Sequence, residues 1–128
     1  MLNKLIYLAG PYRAPTVWGI RQNIDKAEKY ALEFWKRGVP VLSPHKNTAL
    51  FDGALGIPDS TWLEGDLIML VRCDALVLLP GWEDSSGTKA ERERAEAANM
   101  PVFEIKEGVR TTTASQIDRI VEALRGDC

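Results

Sequence analysis

Glu91 ends the segment of this chain best suited to chemistry, Leu79-Pro80-Gly81-Trp82-Glu83-Asp84-Ser85-Ser86-Gly87-Thr88-Lys89-Ala90-Glu91. A buried strand ends there, a small polar turn follows and a helix begins. Free backbone N–H groups at such a helix start, with the hydroxyls of Ser85, Ser86 and Thr88, suit an anion such as a phosphate. Gly87 allows close approach of a ligand. The spacing is neither that of a P-loop nor that of a dinucleotide Gly-x-Gly-x-x-Gly motif. Thr88, Glu91, Ala95 and Ala98 share one stripe of the helix, the small-residue side expected to press on a sheet. A carboxylate on that stripe, in the first turn, would be partly desolvated beside a ligand crevice. The competing reading is a capping box, because Thr88-Lys89-Ala90-Glu91 also fits Ser/Thr-x-x-Glu.

Asp66 raises the same question. It falls among Trp62, Leu63, Leu67, Leu70 and Val71, the apolar face of another helix. An inward carboxylate must be hydrogen-bonded, or hold its proton to higher pH, or both; otherwise Asp66 lies at the helix edge and reaches solvent. Asp74 opens the most apolar strand at its amino end, either as part of the site or as a residue bonded to loop backbone. In Gly10-Pro11-Tyr12-Arg13, Arg13 could pair with an anion and Tyr12 could stack on a flat ring, unless this is a plain surface turn. Trp82 either stacks on a base or covers a subunit contact, or folds over the domain edge. His45 is the single histidine. With Cys73 and Cys128 far apart in sequence and no paired-ligand spacing, neither a metal site nor any cofactor is implied. Gly-x-Ser-x-Gly is absent, which argues against a Ser-His-Asp hydrolase.

The elements that must position these groups alternate. Residues 4–9 read as a strand apolar at nearly every position and ended by Gly10-Pro11, as in a parallel sheet buried on both faces. Ile20, Ile24, Ala27, Ala31 and Phe34 mark one face of a helix stopped at Gly38. A short strand over 39–42 contains Pro40, which places it near a sheet edge. Residues 43–57 form a long irregular loop of the kind that is usually functional or mobile. A helix from 58 to about 72, a strand over 74–79, a charged helix over 88–99, a strand over 101–105 and a last helix over 113–124 complete the order. Ile117, Ile120, Val121 and Leu124 share one side of the last helix. This alternation implies an α/β fold: a three-layer, flavodoxin- or Rossmann-like parallel sheet of four to five strands with helices on both faces. Ligands in such folds sit beyond the carboxyl ends of the strands. That rule selects residues 10–13, 43–47 and 80–88.

The 128 residues suffice for one domain with its own core. A net charge of −2, from 16 basic and 18 acidic residues, gives no basic face for a nucleic-acid polymer. The longest apolar run, residues 67–80, is broken by Arg72 and Asp74, so no membrane span is expected. Met1-Leu2-Asn3-Lys4 lacks the order of a signal peptide, and two cysteines cannot build a disulfide framework. A reducing, cytoplasmic setting is expected.

Taken together, Ile6-Tyr7-Leu8-Ala9-Gly10-Pro11-Tyr12-Arg13, Asn23-Ile24, Ser43-Pro44-His45 and Cys73-Asp74-Ala75 onward to Glu91 resemble the nucleoside 2-deoxyribosyltransferase-like superfamily. Within it, the chain is most similar to small bacterial and phage members of uncharacterised reaction. The resemblance spans nearly the whole chain. It implies cleavage or exchange of the N-glycosidic bond of deoxynucleosides or nucleoside 5′-monophosphates, with Glu91 as nucleophile and Asp66 assisting. Asp66 and Asp74 reproduce the family's spacing of eight between two aspartates. In the monophosphate-cleaving branch a Ser six residues before the Glu holds phosphate. That position is Ser85, and a turn one residue longer leaves Ser86 as the alternative. Lys89 and Glu93 stand where relatives often carry Gly. The resemblance also implies a homo-oligomer, because relatives often complete the pocket from a neighbouring subunit. A glycosyl-enzyme intermediate on a carboxylate, with a second carboxyl group moving a proton, needs no metal. Two further readings stay open: a non-catalytic nucleotide-binding or sensor module, and a structural protein whose interface is an exposed Trp18 or Trp82.

Overall fold

The computed structural model describes residues 1–126; Cys128 lies outside them. Four strands, β1 (Ile6–Ala9), β2 (Val41–Leu42), β3 (Ala75–Leu78) and β4 (Val102–Glu104), form one sheet in the order β2-β1-β3-β4. Every pairing is parallel, with Ile6 opposite Val41 and Ala75, and Leu76 opposite Val102. The sheet thus has four strands, and the Pro40 segment leads into an edge strand as expected.

The helices are α1 (Val17–Lys36), α2 (Pro44–Asn47), α3 (Asp59–Leu70), α4 (Ser86–Ala97) and α5 (Thr113–Gly126). Side chains alternate across β1 and sort the molecule into three layers. Ile6 and Leu8 face one side and pack with Ala27, Tyr30, Ala31 and Phe34 of α1 and Ile117, Ile120, Val121 and Leu124 of α5. Tyr7 and Ala9 face the other and pack with Leu70 of α3 and Ala95 of α4. Both central strands are buried at every position, which is why they lack the polar alternation of a half-exposed sheet.

Residues 43–57 are more structured than the sequence pattern implies. Pro44 starts the single turn of α2, and a 3-10 turn, Ala54–Gly56, follows. Segments this short carry no periodicity to detect. Helix α4 starts at Ser86, two residues before the expected Thr88, with Ser85 as N-cap accepting the Thr88 N–H through its hydroxyl at 3.2 Å. No helix among the described residues is long and apolar enough to cross a membrane.

Candidate functional site

A cavity of about 530 Å³ opens at the carboxyl ends of β1 and β3, the edge to which ligands bind in open α/β sheets. It is walled by the turn after β1, by α2 and residues 48–63, and by the start of α4. Glu91, Asp66, Gly10, Pro11, Tyr12, Arg13, Ser85, Ser86, Gly87 and Thr88 all line it. The two acids read from separate helices therefore share one hollow.

Glu91 is 7% exposed and lies against the sheet, where the Tyr7 hydroxyl donates a hydrogen bond to its Oε2. The capping-box geometry does not occur, because Thr88 sits inside the helix and donates its hydroxyl to the Gly10 carbonyl at 3.1 Å. Burial pushes the Glu91 carboxyl up to about 7; the Tyr7 hydrogen bond opposes that rise and the nearby Asp66 charge adds to it. Burial also pushes Asp66 up, to about 6. Tyr7 is fully buried and its phenol is held far above its usual range by desolvation and by the two acids. The Tyr7–Glu91 pair thus carries at most the carboxylate's charge, and the phenol remains a donor.

The turn after β1 is tied down from several directions. Gly10 is required because a Cβ there would lie 2.8 Å from the Cβ of Leu79. The Pro11 carbonyl meets His45 Nε2 at 2.8 Å, and Asn23 Nδ2 donates to the Tyr12 carbonyl at 3.0 Å. His45 is buried, lines the cavity, and is held below its ordinary pKa by desolvation. The Tyr12 hydroxyl donates to Asp52 at 2.6 Å and accepts the Leu50 N–H at 2.9 Å. Arg13 pairs with Asp52 at 3.4 Å and with Asp59 at 2.8 Å. Gly87 faces open space, with nothing within 4 Å of where a Cβ would stand.

Two residues expected at the site lie elsewhere. Asp74 sits at the amino end of β3, where its carboxylate accepts the Leu5 N–H at 2.7 Å and its own N–H bonds the Leu5 carbonyl at 2.8 Å. Its role is to register the start of β3 against β1, and it does not line the cavity. Trp82 is buried in the core between the sheet and α4, its indole N–H donating to Glu104 at 3.0 Å and Arg92 lying 4.8 Å over its ring. It closes the edge of the domain, and the aromatic wall of the cavity comes from Tyr12 and Trp62 instead. Trp62 packs edge-on against Phe51 at 5.9 Å between centroids.

The sequence pattern does not single out Tyr7, Trp62, Asp52, Asp59 or Asp84 as site residues. Tyr7 reads as one more position of a strand buried on both faces, although a buried phenol needs a hydrogen-bond partner, and the carboxyl on the facing helix supplies it. Asp52, Asp59 and Asp84 also line the cavity. Asp52 and Asp59 arrive from the long loop and the start of α3, and no local pattern brings them to Arg13. Among the described residues, no group of three His, Cys, Asp or Glu side chains is arranged to hold a metal ion.

Two solved structures share this architecture. One is a 2-deoxyribosyltransferase from the psychrotolerant bacterium Bacillus psychrosaccharolyticus, 21% identical, covering 84% of this chain and 77% of that one, with a TM-score of 0.60. The other is the solution structure of BlsM, 18% identical, covering 98% of this chain and 94% of that one, with a TM-score of 0.68. At these identities the likeness is one of fold, and it bears out the three-layer α/β architecture and the fold that the resemblance implied. No curated protein matches the sequence. The family described as "Domain of unknown function (DUF4406)" matches residues 4–104, most of the chain and every wall of the cavity, and the chain belongs to that family.

Proposed function

We propose that this protein breaks the N-glycosidic bond of a nucleoside or nucleoside 5′-monophosphate through a carboxylate nucleophile. The observation that carries the reading is Glu91: a buried carboxyl group, hydrogen-bonded by a buried tyrosine, in the same cavity as a second acid. Two carboxyl groups in one cavity, one to attack and one to move a proton, are the pair of groups that retaining glycosidases use. The cavity volume lies within the range of small-molecule sites, and Tyr12 and Trp62 offer faces on which a base could stack.

In the first step the ionised Glu91 attacks the anomeric carbon, and the bond from that carbon to the base nitrogen breaks. The leaving base takes the electron pair and receives a proton from Asp66. Tyr7 donates its hydrogen bond to the attacking carboxylate and fixes its orientation. In the second step Asp66, now ionised, takes a proton from water, whose oxygen attacks the same carbon and releases Glu91. A second nucleobase in place of water makes the reaction a transfer. The productive state carries one proton on the acid pair, with Asp66 protonated and Glu91 ionised. Burial places Asp66 near 6 and Glu91 near 7, so the single proton resides mainly on Glu91; the productive arrangement is the minor tautomer of the one-proton pair, and its population peaks between those two values. The exposed Leu50 and Phe51 beside the cavity are consistent with a second copy packing there, which sizing in solution tests.

The reading is tested by incubating the protein with a panel of (deoxy)nucleosides and their 5′-monophosphates and quantifying free base. Base release that Glu91→Ala abolishes supports it. Base release that survives Glu91→Ala rejects the nucleophile. Binding without release of base would favour the nucleotide-binding module instead.

A further inference from the structure

We propose that Asp52 and Asp59 make the cavity selective for nucleosides that carry no 5′-phosphate. The inference rests on the glycosidic reading and narrows its substrate.

Arg13 is the single lysine or arginine among the residues that line the cavity, whereas Asp52, Asp59, Asp66, Asp84 and Glu91 all line it. Arg13 already faces two acids. Its Nη1 lies 3.4 Å from Asp52 and its Nη2 2.8 Å from Asp59. Asp52 is fixed in turn by the Tyr12 hydroxyl at 2.6 Å. A phosphate that approaches Arg13 competes with both carboxylates for its guanidinium and meets their charge in the same hollow.

The start of α4 is also less open to a phosphate than its sequence suggests. The Ser85 hydroxyl caps the helix through the Thr88 N–H, and the Thr88 hydroxyl is committed to the Gly10 carbonyl. Of the three hydroxyls there, only that of Ser86 has no such engagement. Asp84 stands immediately before the N-cap and lines the cavity as well. A phosphate dianion at this helix start meets like charge from Asp84 and from the Arg13-bound pair, and like charges in a partly enclosed site repel strongly. A neutral 5′-hydroxyl meets the opposite situation, since ionised carboxylates only accept hydrogen bonds and the hydroxyl supplies a donor.

The test compares kcat/KM for base release from a 2′-deoxynucleoside and from its 5′-monophosphate at low ionic strength. The same pair is then titrated calorimetrically into Glu91→Gln. The expected result is a preference for the unphosphorylated compound of about tenfold or more in both readouts. The preference should shrink with added salt, because it comes from screened charge repulsion. Asp59→Asn and the Asp52→Asn/Asp59→Asn pair should reduce it further, mainly through a lower KM for the monophosphate. Equal or tighter use of the monophosphate by the unmodified protein overturns the proposal. So does a ratio that neither variant changes, or the absence of binding by both compounds. Selective nucleoside binding with no base release by the unmodified protein would sink the glycosidic reading and leave the selectivity standing.

Discussion

Replacing Glu91 by Gln should make the folded protein more stable above pH 7 while removing its proposed activity. In the unfolded chain a glutamate titrates near 4.5; in the fold, burial raises Glu91 to about 7. Between those two values the native state holds a proton that the unfolded state has lost. The stability of the unmodified protein therefore falls as pH rises through that window and levels off above it. At ~1.4 kcal/mol per pH unit the interval corresponds to about 3 kcal/mol. A glutamine keeps the shape, can still accept the Tyr7 hydroxyl through its carbonyl oxygen, and never ionises. Below pH 4.5 both proteins carry a neutral side chain and should unfold at similar denaturant concentrations. At pH 8 Glu91→Gln should be more stable by about 3 kcal/mol, or roughly 10 °C in Tm. Urea unfolding at half-unit steps from pH 4 to pH 8.5, for both proteins, measures it. Curves that run parallel over the whole range would show that Glu91 does not titrate as a buried acid, and the account of the site given above would fail with it.

The activity of the unmodified protein should follow a bell in pH, with limbs near 6 and 7 and a maximum between them; a flat profile from pH 5 to pH 9 contradicts the shared-proton pair. Asp66→Asn should remove the alkaline limb and lower kcat by about a hundredfold or more, in line with general-acid contributions, and substrates with better leaving groups should recover most of the loss. Tyr7→Phe deletes the one hydrogen bond that favours ionised Glu91, so the alkaline limb, which follows the higher of the two values, should move to higher pH and the maximum should fall; unmoved limbs with reduced kcat would mean that Tyr7 only fills space. Trp82→Phe loses the bond to Glu104 and some core volume. It should cost about 1–2 kcal/mol of stability with KM unchanged, whereas a tenfold rise in KM would return Trp82 to the site.

Most of the fold was legible because its central strands are buried on both faces and its outer helices on one. The runs at Ile6–Ala9 and Ala75–Leu78 and the four-residue stripe of α5 carry their positions in their apolar spacing. The places where local reading failed are places where a distant contact decided the outcome. Thr88, Ser85 and Ser86 are all acceptable N-caps by residue type; the bond from Thr88 to the Gly10 carbonyl draws Thr88 into the helix and leaves Ser85 as the cap. Trp82 sits in a turn that pattern reading places at the surface, yet the Trp82–Asp84 3-10 turn tips the ring into the core beside Tyr7. Asp52 and Asp59 reach Arg13 through the path of the whole loop, which no spacing rule encodes. Glu91 and Asp66 were legible as inward acids because each interrupts an otherwise apolar or small-residue helical face.

That interruption also separates chemistry from architecture. The face of the sheet covered by α3 and α4 is built from Leu70, Cys73, Leu76, Leu78 and Ala95 around Tyr7. An apolar residue at position 91, with Phe in place of Tyr7, would complete this layer with no ionisable group to desolvate, and such replacements of buried polar pairs are often neutral or stabilising. The pair instead lowers stability at neutral pH by an amount comparable to a sizeable share of the ~5–15 kcal/mol that holds a small domain together. The cost falls where the buried face opens into the cavity, and the second elevated acid lies in that same cavity. Structural roles for carboxylates are available in this chain at far lower cost, as Asp74 shows by clamping β3 to the Leu5 backbone. A desolvated carboxyl held by a phenol against an open hollow gains nothing for the fold, and a group whose protonation changes near pH 7 beside a cavity is the kind of residue the proposed glycosidic chemistry would use.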